Sequence, residues 1–311
     1  GKIYGGPMYY LKEGLKEKNL KGLGKVLAFL FAIFVVGGSF GGGNMFQSNQ
    51  AAAQLKLLFG VENGFWFGLV MSLLVGIVII GGIKRIGQVT EKVVPFMGII
   101  YVGAALVILG MNFDAIPEGI GQIFQGAYSG DSVIGGVVGV MIQGFRRAAF
   151  SNEAGVGSAS IAHAAVKTRF PASEGIVASI GPFVDTVLIC TMTALVIVVT
   201  NIKSNLFVYG NLDSGNNVIM NAGGAHLGGV DLTSVAFDSA IPNFSILLTI
   251  AVILFAFSTM LSWSYYGLQG WKYLFGKGRF ADLMYKTLFL MFVVVGASSS
   301  LNSVVEFSDA M

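Results

Sequence analysis

The sequence predicts an all-α polytopic membrane protein, and three observations carry that prediction. Hydrophobic residues fill 54% of the 311 positions and charged residues only 11%, against roughly 25% charged in soluble domains. Apolar stretches approaching the ~20 residues that a helix needs to cross a bilayer recur near 24–43, 64–82, 94–112, 132–168 (broken), 175–200, 244–270 and 283–301. Glycine is abundant, at 44 residues, which suits close helix packing and interrupted helices in membranes. A formal charge of +3 gives no footing to a nucleic-acid partner. The single cysteine, Cys190, rules out an internal disulfide, and its apolar surroundings predict a small buried hydrophobe. Two histidines, His163 and His226, are too few for a metal cluster.

Taken in order, the first span runs from about 24 to 43 into "GGGNMFQSNQ" and is expected to continue to about Leu58, burying one face. The spans near 64–82 and 94–112 flank a basic loop holding Lys84, Arg85 and Lys92. Residues 132–149 read as an apolar half-helix and 158–168, "SASIAHAAVKT", as a second one. After the span at 175–200, the stretch 201–242 is rich in Gly, Asn and Asp. It is too long for a tight connection and is expected to dock back over the protein as a lid. Spans at 244–270 and 283–301 complete a single transmembrane domain over 1–311.

Basic residues concentrate on cytoplasmic loops. Six lysines, from Lys2 to Lys25, precede the first span, and further basic residues occupy every second loop: Lys167 and Arg169, then Lys272, Lys277 and Arg279. The alternate loops hold only Lys56 and Lys203. Residue 1 is therefore expected on the cytoplasmic side of the cell membrane, with the 201–242 loop outside.

Between the half-helices, "FSNEAGVG" combines two glycines with Ser and Asn, which compete with helical hydrogen bonding. A helix broken at membrane depth leaves carbonyls and N–H groups that must be buried in protein or line a wet cavity. Free carbonyls suit a small cation and free N–H groups suit a carboxylate, so Ser151, Asn152, Ala154 and Gly155 are candidate ligand-binding positions. Phe150, at the end of the first half-helix, can cap a ligand there or serve as ordinary packing. Arg146, Arg147 and Glu153 can hold the break in shape by pairing with one another, and Asp185, well inside its span, can serve function or pair with either arginine. These four are read as structural or gating residues. His163 reads as a packed or cavity-edge histidine.

The stretch "GFRRAAFSNEAGVGSASIAHAA" (144–165) resembles the signature of the alanine or glycine:cation symporter family. The likeness extends to "GGPMYYLKEGL" (5–15), "GGGNMFQSNQ" (41–50), "GGIKRI" with "VPFMGIIY" (81–101), "DTVLICTMTAL" (185–195) and "FAFSTMLSWSYYG" (255–267). It covers the whole chain in the family's order. The resemblance implies a fold of two inverted five-helix repeats, with a small neutral amino acid and sodium bound near the midplane. It also implies that the chain starts near the end of the second core helix. The first core helix and the last helices are then expected to be absent, the fold incomplete and the chain part of a longer one, in keeping with a start at Gly1 and an end at "VVEFSDAM".

Asn44, Gln47, Asn49 and Gln50 can all be glue between helices, but the resemblance places Gln47 at the amino acid, with Ala51 one turn later on the same face. It likewise places Thr259 and Trp263 against the substrate. Ser258 and Thr259 offer adjacent hydroxyl oxygens fit for sodium, or for bonds back to their own helix. The resulting expectation is sodium-coupled symport of alanine or glycine by alternating access, with the lipid bilayer as surroundings and Na+ as the coupling ion, and without an enzymatic cofactor. A channel-like protein, or one of the same fold with another substrate, is the alternative, although no ring of like charges or repeated filter sequence appears. An intramembrane enzyme would need a nucleophile with a base, and none is visible.

Overall fold

The computed structural model describes residues 4–60, 63–128, 151–209 and 218–311, with 141, 142, 144, 145, 147 and 148 between them. The expected half-helix at 132–149 and residues 210–217 of the polar stretch thus fall largely or wholly outside the described residues. The elements begin with α1 (Pro7–Glu17), α2 (Lys21–Phe59), α3 (Gly64–Ile79), α4 (Gly82–Met111) and α5 (Ile116–Tyr128). Two short helices follow, α6 (Glu153–Val156) and α7 (Ala159–His163), and then α8 (Pro171–Ser204). Three strands, β1 (Phe207–Val208), β2 (Val218–Met220) and β3 (His226–Leu227), lead to α9 (Val230–Ala240), α10 (Phe244–Phe275), α11 (Arg279–Ser298) and α12 (Leu301–Ala310). Among the described residues, α2, α4, α8, α10 and α11 are long and apolar enough to cross a membrane. The protein is a multi-pass membrane protein built of helices.

The chain forms two compact units. The first comprises Gly1–Met97, Gly157–Ala178 and Ile250–Met311. Its centre is α11, where Tyr285, Phe289 and Val293 recur every fourth residue and are fully buried with Met71 and Val75 of α3 and Met260 and Leu261 of α10. Close approach of α3 depends on "GFWFG" (64–68), a small-xxx-small spacing. A Cβ on Gly64 would fall on the Ala297 carbonyl, and one on Gly68 would lie 2.9 Å from the Ala297 side chain. On α2, Ser39 shares a 3.0 Å hydrogen bond with Tyr285, and only a glycine at 267 on α10 leaves room for it. Phe40 stacks on Phe292 at 4.8 Å between centroids, and Phe292 on Phe307 of α12 at 5.9 Å. Asp282, at the start of α11, binds Lys272 of α10 at 3.0 Å and Lys286 at 2.9 Å, tying the turn between these two helices.

The sequence suggests a helix over 158–168, but α7 stops at His163 and turns follow. Pro171 already opens α8 and restricts the residue before it, and the Thr168 hydroxyl accepts from Phe170 N and donates to its carbonyl, making a side-chain turn instead. Ile161 buries itself against Gly6, where a positive φ of 116° lets the chain bend into α1.

The second unit comprises Gly98–Val156 and Ser179–Thr249. The end of α8 packs on α5 and α9, and Phe237 of α9, fully buried, stacks between Tyr101 at 5.4 Å and Phe244 at 5.6 Å. The stretch read as loop at 201–242 therefore carries structure of its own, including a small sheet in a chain that is otherwise helical among the described residues. Antiparallel β1–β2–β3 pairs Phe207 with Met220 and Val218 with Leu227. Asn205, in the left-handed region at φ 49°, ends α8. The Asn201 carboxamide then exchanges two hydrogen bonds with the Phe207 backbone, copying a strand partner. Asp114 receives Lys203, which holds its carboxyl below the usual carboxylate range. That contact is complete above about pH 4 and is lost as pH falls through the lowered pKa.

Gly64→Ala and Gly296→Ala, whose added methyls would meet backbone atoms of packed helices, are expected to destabilise the protein by ~1–3 kcal/mol each. Gly87→Ala, with open space around the new methyl, is expected to leave the thermal midpoint in detergent equal or higher. Equal midpoints for all three would show that these helices do not pack through their glycines.

Candidate functional site

The sequence-predicted residues divide between the units. Gln47, Ala51, Ser258, Thr259 and Trp263 belong to the first, and Arg147, Ser151, Asn152, Glu153, Ala154, Gly155 and Asp185 to the second. Arg146 and Phe150 lie outside the described residues.

In the first unit, "GGGNM" (41–45) forms a π turn inside α2. A π turn carries one extra residue, shifting backbone hydrogen bonds from i−4 to i−5, and recurs at functional sites. Phe46 N accordingly donates to Gly41 O, while the Gln47 side chain donates to Gly42 O at 3.2 Å. Trp263 of α10 lies directly on Gly43, where a Cβ would overlap its indole, and reaches Gly38 within 3.5 Å of the same imagined atom. The indole is buried and meets Tyr266 edge to face at 5.6 Å. Ala51 is fully buried in the core cluster with Ala256, Met260 and Leu261. The Ser258 hydroxyl donates to Phe255 O at 3.0 Å, and Thr259 beside it is half-buried.

Asn44 and Asn49 fasten α2 to α11 and the residue that ends it, with Gln50 bracing Asn49. Asn44 donates to Phe289 O at 2.7 Å, and its Oδ1 is buried without a partner among the described residues. Asn49 donates to Gly296 O at 3.1 Å and to Ser299 O at 2.7 Å, and Gln50 donates to Asn49 Oδ1. Such bonds across membrane helices contribute about 0.6 kcal/mol on average.

In the second unit, the break is held from within. Asn152 Oδ1 accepts from Ala154 N at 2.9 Å and Gly155 N at 3.0 Å, and Asn152 Nδ2 donates to Thr186 Oγ1 at 2.7 Å. The N–H groups that the sequence suggests for a carboxylate are thus engaged by a neighbouring side chain. Thr186 and Asp185 lie in a second π turn, Phe183–Ile189 of α8. Pro182 immediately before it has no N–H to continue the ladder. Ser151 Oγ lies 2.9 Å from Thr186 Oγ1, 3.4 Å from Asp185 Oδ2 and 3.8 Å from Cys190 Sγ.

Cys190 is exposed, not buried as its apolar run suggests. On a membrane-crossing helix apolar residues face lipid as readily as protein, and Val187 and Leu188 are exposed on the same turn. Sequence reasoning also missed Glu174, whose Oε1 meets His163 Nδ1 at 2.5 Å. The two lie eleven residues apart across an irregular turn, so no helical spacing announces the pair.

The sequence profile described as "Sodium:alanine symporter family" matches residues 1–311. The chain belongs to that family. It is a family of transporters, and the chain is not an enzyme. Among curated relatives, the sodium/alanine symporter AgcS of Methanococcus maripaludis is 38% identical over 100% of this chain and 64% of its own length. The sodium/proton-dependent alanine carrier protein of Bacillus sp. strain PS3 is 33% identical over 70% of this chain and 48% of its own. The probable sodium/glutamine symporter GlnT of Bacillus subtilis is 30% identical over 98% of this chain and 58% of its own. The chain thus spans less than two thirds of the length of each of these relatives.

Asn152→Ala would leave the Ala154 and Gly155 amides without their acceptor and remove one of the two partners of Thr186. Faster hydrogen exchange across residues 153–156 is the expected outcome, measured by mass spectrometry on the purified protein. Asn152→Asp keeps an acceptor for both amides and should preserve much of the protection. Equal exchange in wild type and Asn152→Ala would remove the capping role.

Proposed function

We propose that this chain forms part of a sodium-coupled symporter that carries a small neutral amino acid, alanine or glycine, across the cell membrane by alternating access. The observation that carries this reading is the family match along all 311 residues, joined by relatives named for sodium and alanine. The inverted five-helix-repeat fold, and the orientation with residue 1 cytoplasmic and 201–242 outside, belong to the same proposal.

Within the first unit, Gln47, Ala51, Thr259 and Trp263 serve the amino acid, and Ser258 and Thr259 serve sodium. Gln47 and Trp263 border the π turn of α2, where the carbonyls of three successive glycines sit beside a polar amide and an indole. The Ser258 hydroxyl spends its proton on Phe255 O, which leaves its oxygen lone pairs for a cation. Within the second unit, Ser151, Asn152, Ala154 and Gly155 serve the amino acid, and Arg147, Glu153 and Asp185 hold or gate the broken segment. Phe150 and Arg146, outside the described residues, belong to the same two groups. A second reading, another amino acid on the same scaffold, is favoured by the relative named for glutamine.

The test is uptake of labelled alanine by the full-length protein in proteoliposomes under an inward sodium gradient, with glycine, alanine and glutamine as competitors. Gln47→Ala is expected to raise the alanine concentration for half-maximal uptake about tenfold, equivalent to ~1.4 kcal/mol. The Ser258→Ala/Thr259→Ala double variant should raise the half-maximal sodium concentration instead. Displacement by glutamine but not by glycine would select the second reading. Uptake independent of sodium would overturn both.

A further inference from the structure

The start of α2 carries its positive charge unmatched. Residues 11–30 hold five lysines and two glutamates. Glu13 meets Lys16 at 3.5 Å and Lys12 at 4.0 Å, whereas Lys18, Lys21 and Lys25 are exposed and have no ion-pair partner among the described residues. The first turn of α2 contains no acidic residue. Lys21 and Lys25 stand one turn apart, a spacing at which like charges repel. On the neighbouring face α1 folds back against α2, where a Cβ on Gly24 would lie 2.8 Å from Leu11 O and 3.0 Å from the Leu15 side chain. The two lysines are thus carried on a firmly packed helix and left exposed.

Beyond the lysines the same face turns apolar. Phe29 and Ile33 follow Lys25 at four-residue intervals, so the three side chains form one stripe along the helix. Phe29 is 53% exposed and Ile33 41%, and Val26 and Leu30 beside them are exposed as well. From Lys25 to Ile33 the stripe runs about 12 Å at 1.5 Å per residue, close to the half-thickness of a ~30 Å hydrocarbon core. A phospholipid has the complementary layout, a charged phosphate above an apolar chain. Free phosphate or an acidic peptide would match the lysines and leave the apolar part unused. Lysine stems lie along apolar surface while their ammonium groups stay at the interface, where each attracts anionic headgroups. We propose that this stripe seats an anionic phospholipid, its phosphate at Lys21 and Lys25 and an acyl chain along Phe29 and Ile33. The bound phosphate offsets the repulsion between the two lysines and steadies the corner between α1 and α2. The seat goes beyond the symport reading and is independent of it, and of which side of the membrane holds residue 1.

Thermal unfolding of the full-length protein in detergent is followed while short-chain phosphatidylglycerol is added. Phosphatidylcholine of the same chain length and glycerol phosphate serve as comparisons. A ligand of the folded state raises the midpoint by mass action. Phosphatidylglycerol is expected to raise it more than phosphatidylcholine does, and glycerol phosphate to leave it unmoved. Lys21→Gln with Lys25→Gln should raise the half-effective phosphatidylglycerol concentration about tenfold or more. Lys21→Arg with Lys25→Arg keeps both charges and should keep the response. Lys12→Gln with Lys16→Gln removes the same charge from α1 and should change little. Should the Lys21 and Lys25 glutamine pair fail to fold, Lys25→Gln alone carries the test, with a rise of about threefold or more. Equal midpoints with the two lipids would show no headgroup preference and overturn the seat. An equal loss in the Lys12 and Lys16 variant would overturn it in favour of diffuse attraction to negative surfaces. An equal rise with glycerol phosphate would overturn it in favour of an anion site without an acyl chain.

Discussion

Every backbone N–H and C=O inside a hydrocarbon layer must find its partner within the protein, because no water is there to supply one. Helices meet that demand wherever they are regular. The two π turns meet it with bonds to the residue five back, and at the break at 151–157 the chain relies on side chains. Gln47 reaches Gly42 O, Asn152 reaches the amides of Ala154 and Gly155, and Thr168 braces the turn before Pro171. Several of the buried amides of this oily chain sit where helical geometry fails or where two helices must be joined.

The glycines of α2 show the same economy in space. "GGGN" is a poor helix former by propensity, yet α2 runs through it, because Trp263 requires a bare backbone at Gly43 and α12 packs close against Gly41. The residues proposed to face the ligand are thus also the ones that pack most tightly. The Trp263 indole, proposed to line the amino-acid site, is also a lid over Gly43. Substituting it therefore disturbs the packing of α10 on α2 as well as any binding, whereas Gln47 can be trimmed with less structural consequence.

Much of the architecture is legible in the sequence because bilayer thickness imposes a length and hydrocarbon imposes a composition. The run from Lys21 to Phe59 could be read through its polar centre as one helix, continuing to about Leu58 and burying one face. What stayed hidden depends on contacts across irregular turns. His163 and Glu174, or Asn201 and the Phe207 backbone, have no periodic signature. Cys190 misled because burial from water and burial in protein are the same thing in a soluble domain and different things in a membrane. The break at "FSNEAGVG" was visible from its composition. That Asn152 fills its own N–H groups was not, because the same residues could equally leave them open.

The fasteners between α2 and α11 have a consequence in time. Asn44 and Asn49 find their acceptors 245 to 250 residues further along the chain. At roughly 5–20 residues per second of synthesis, α2 is in the membrane for some tens of seconds before Phe289, Gly296 and Ser299 have been made. Throughout that interval its carboxamides must be served by water at the insertion machinery, by lipid headgroups or by helices made earlier. The helix that ends fastened to α11 by these bonds therefore waits through most of the chain's synthesis before its acceptors exist.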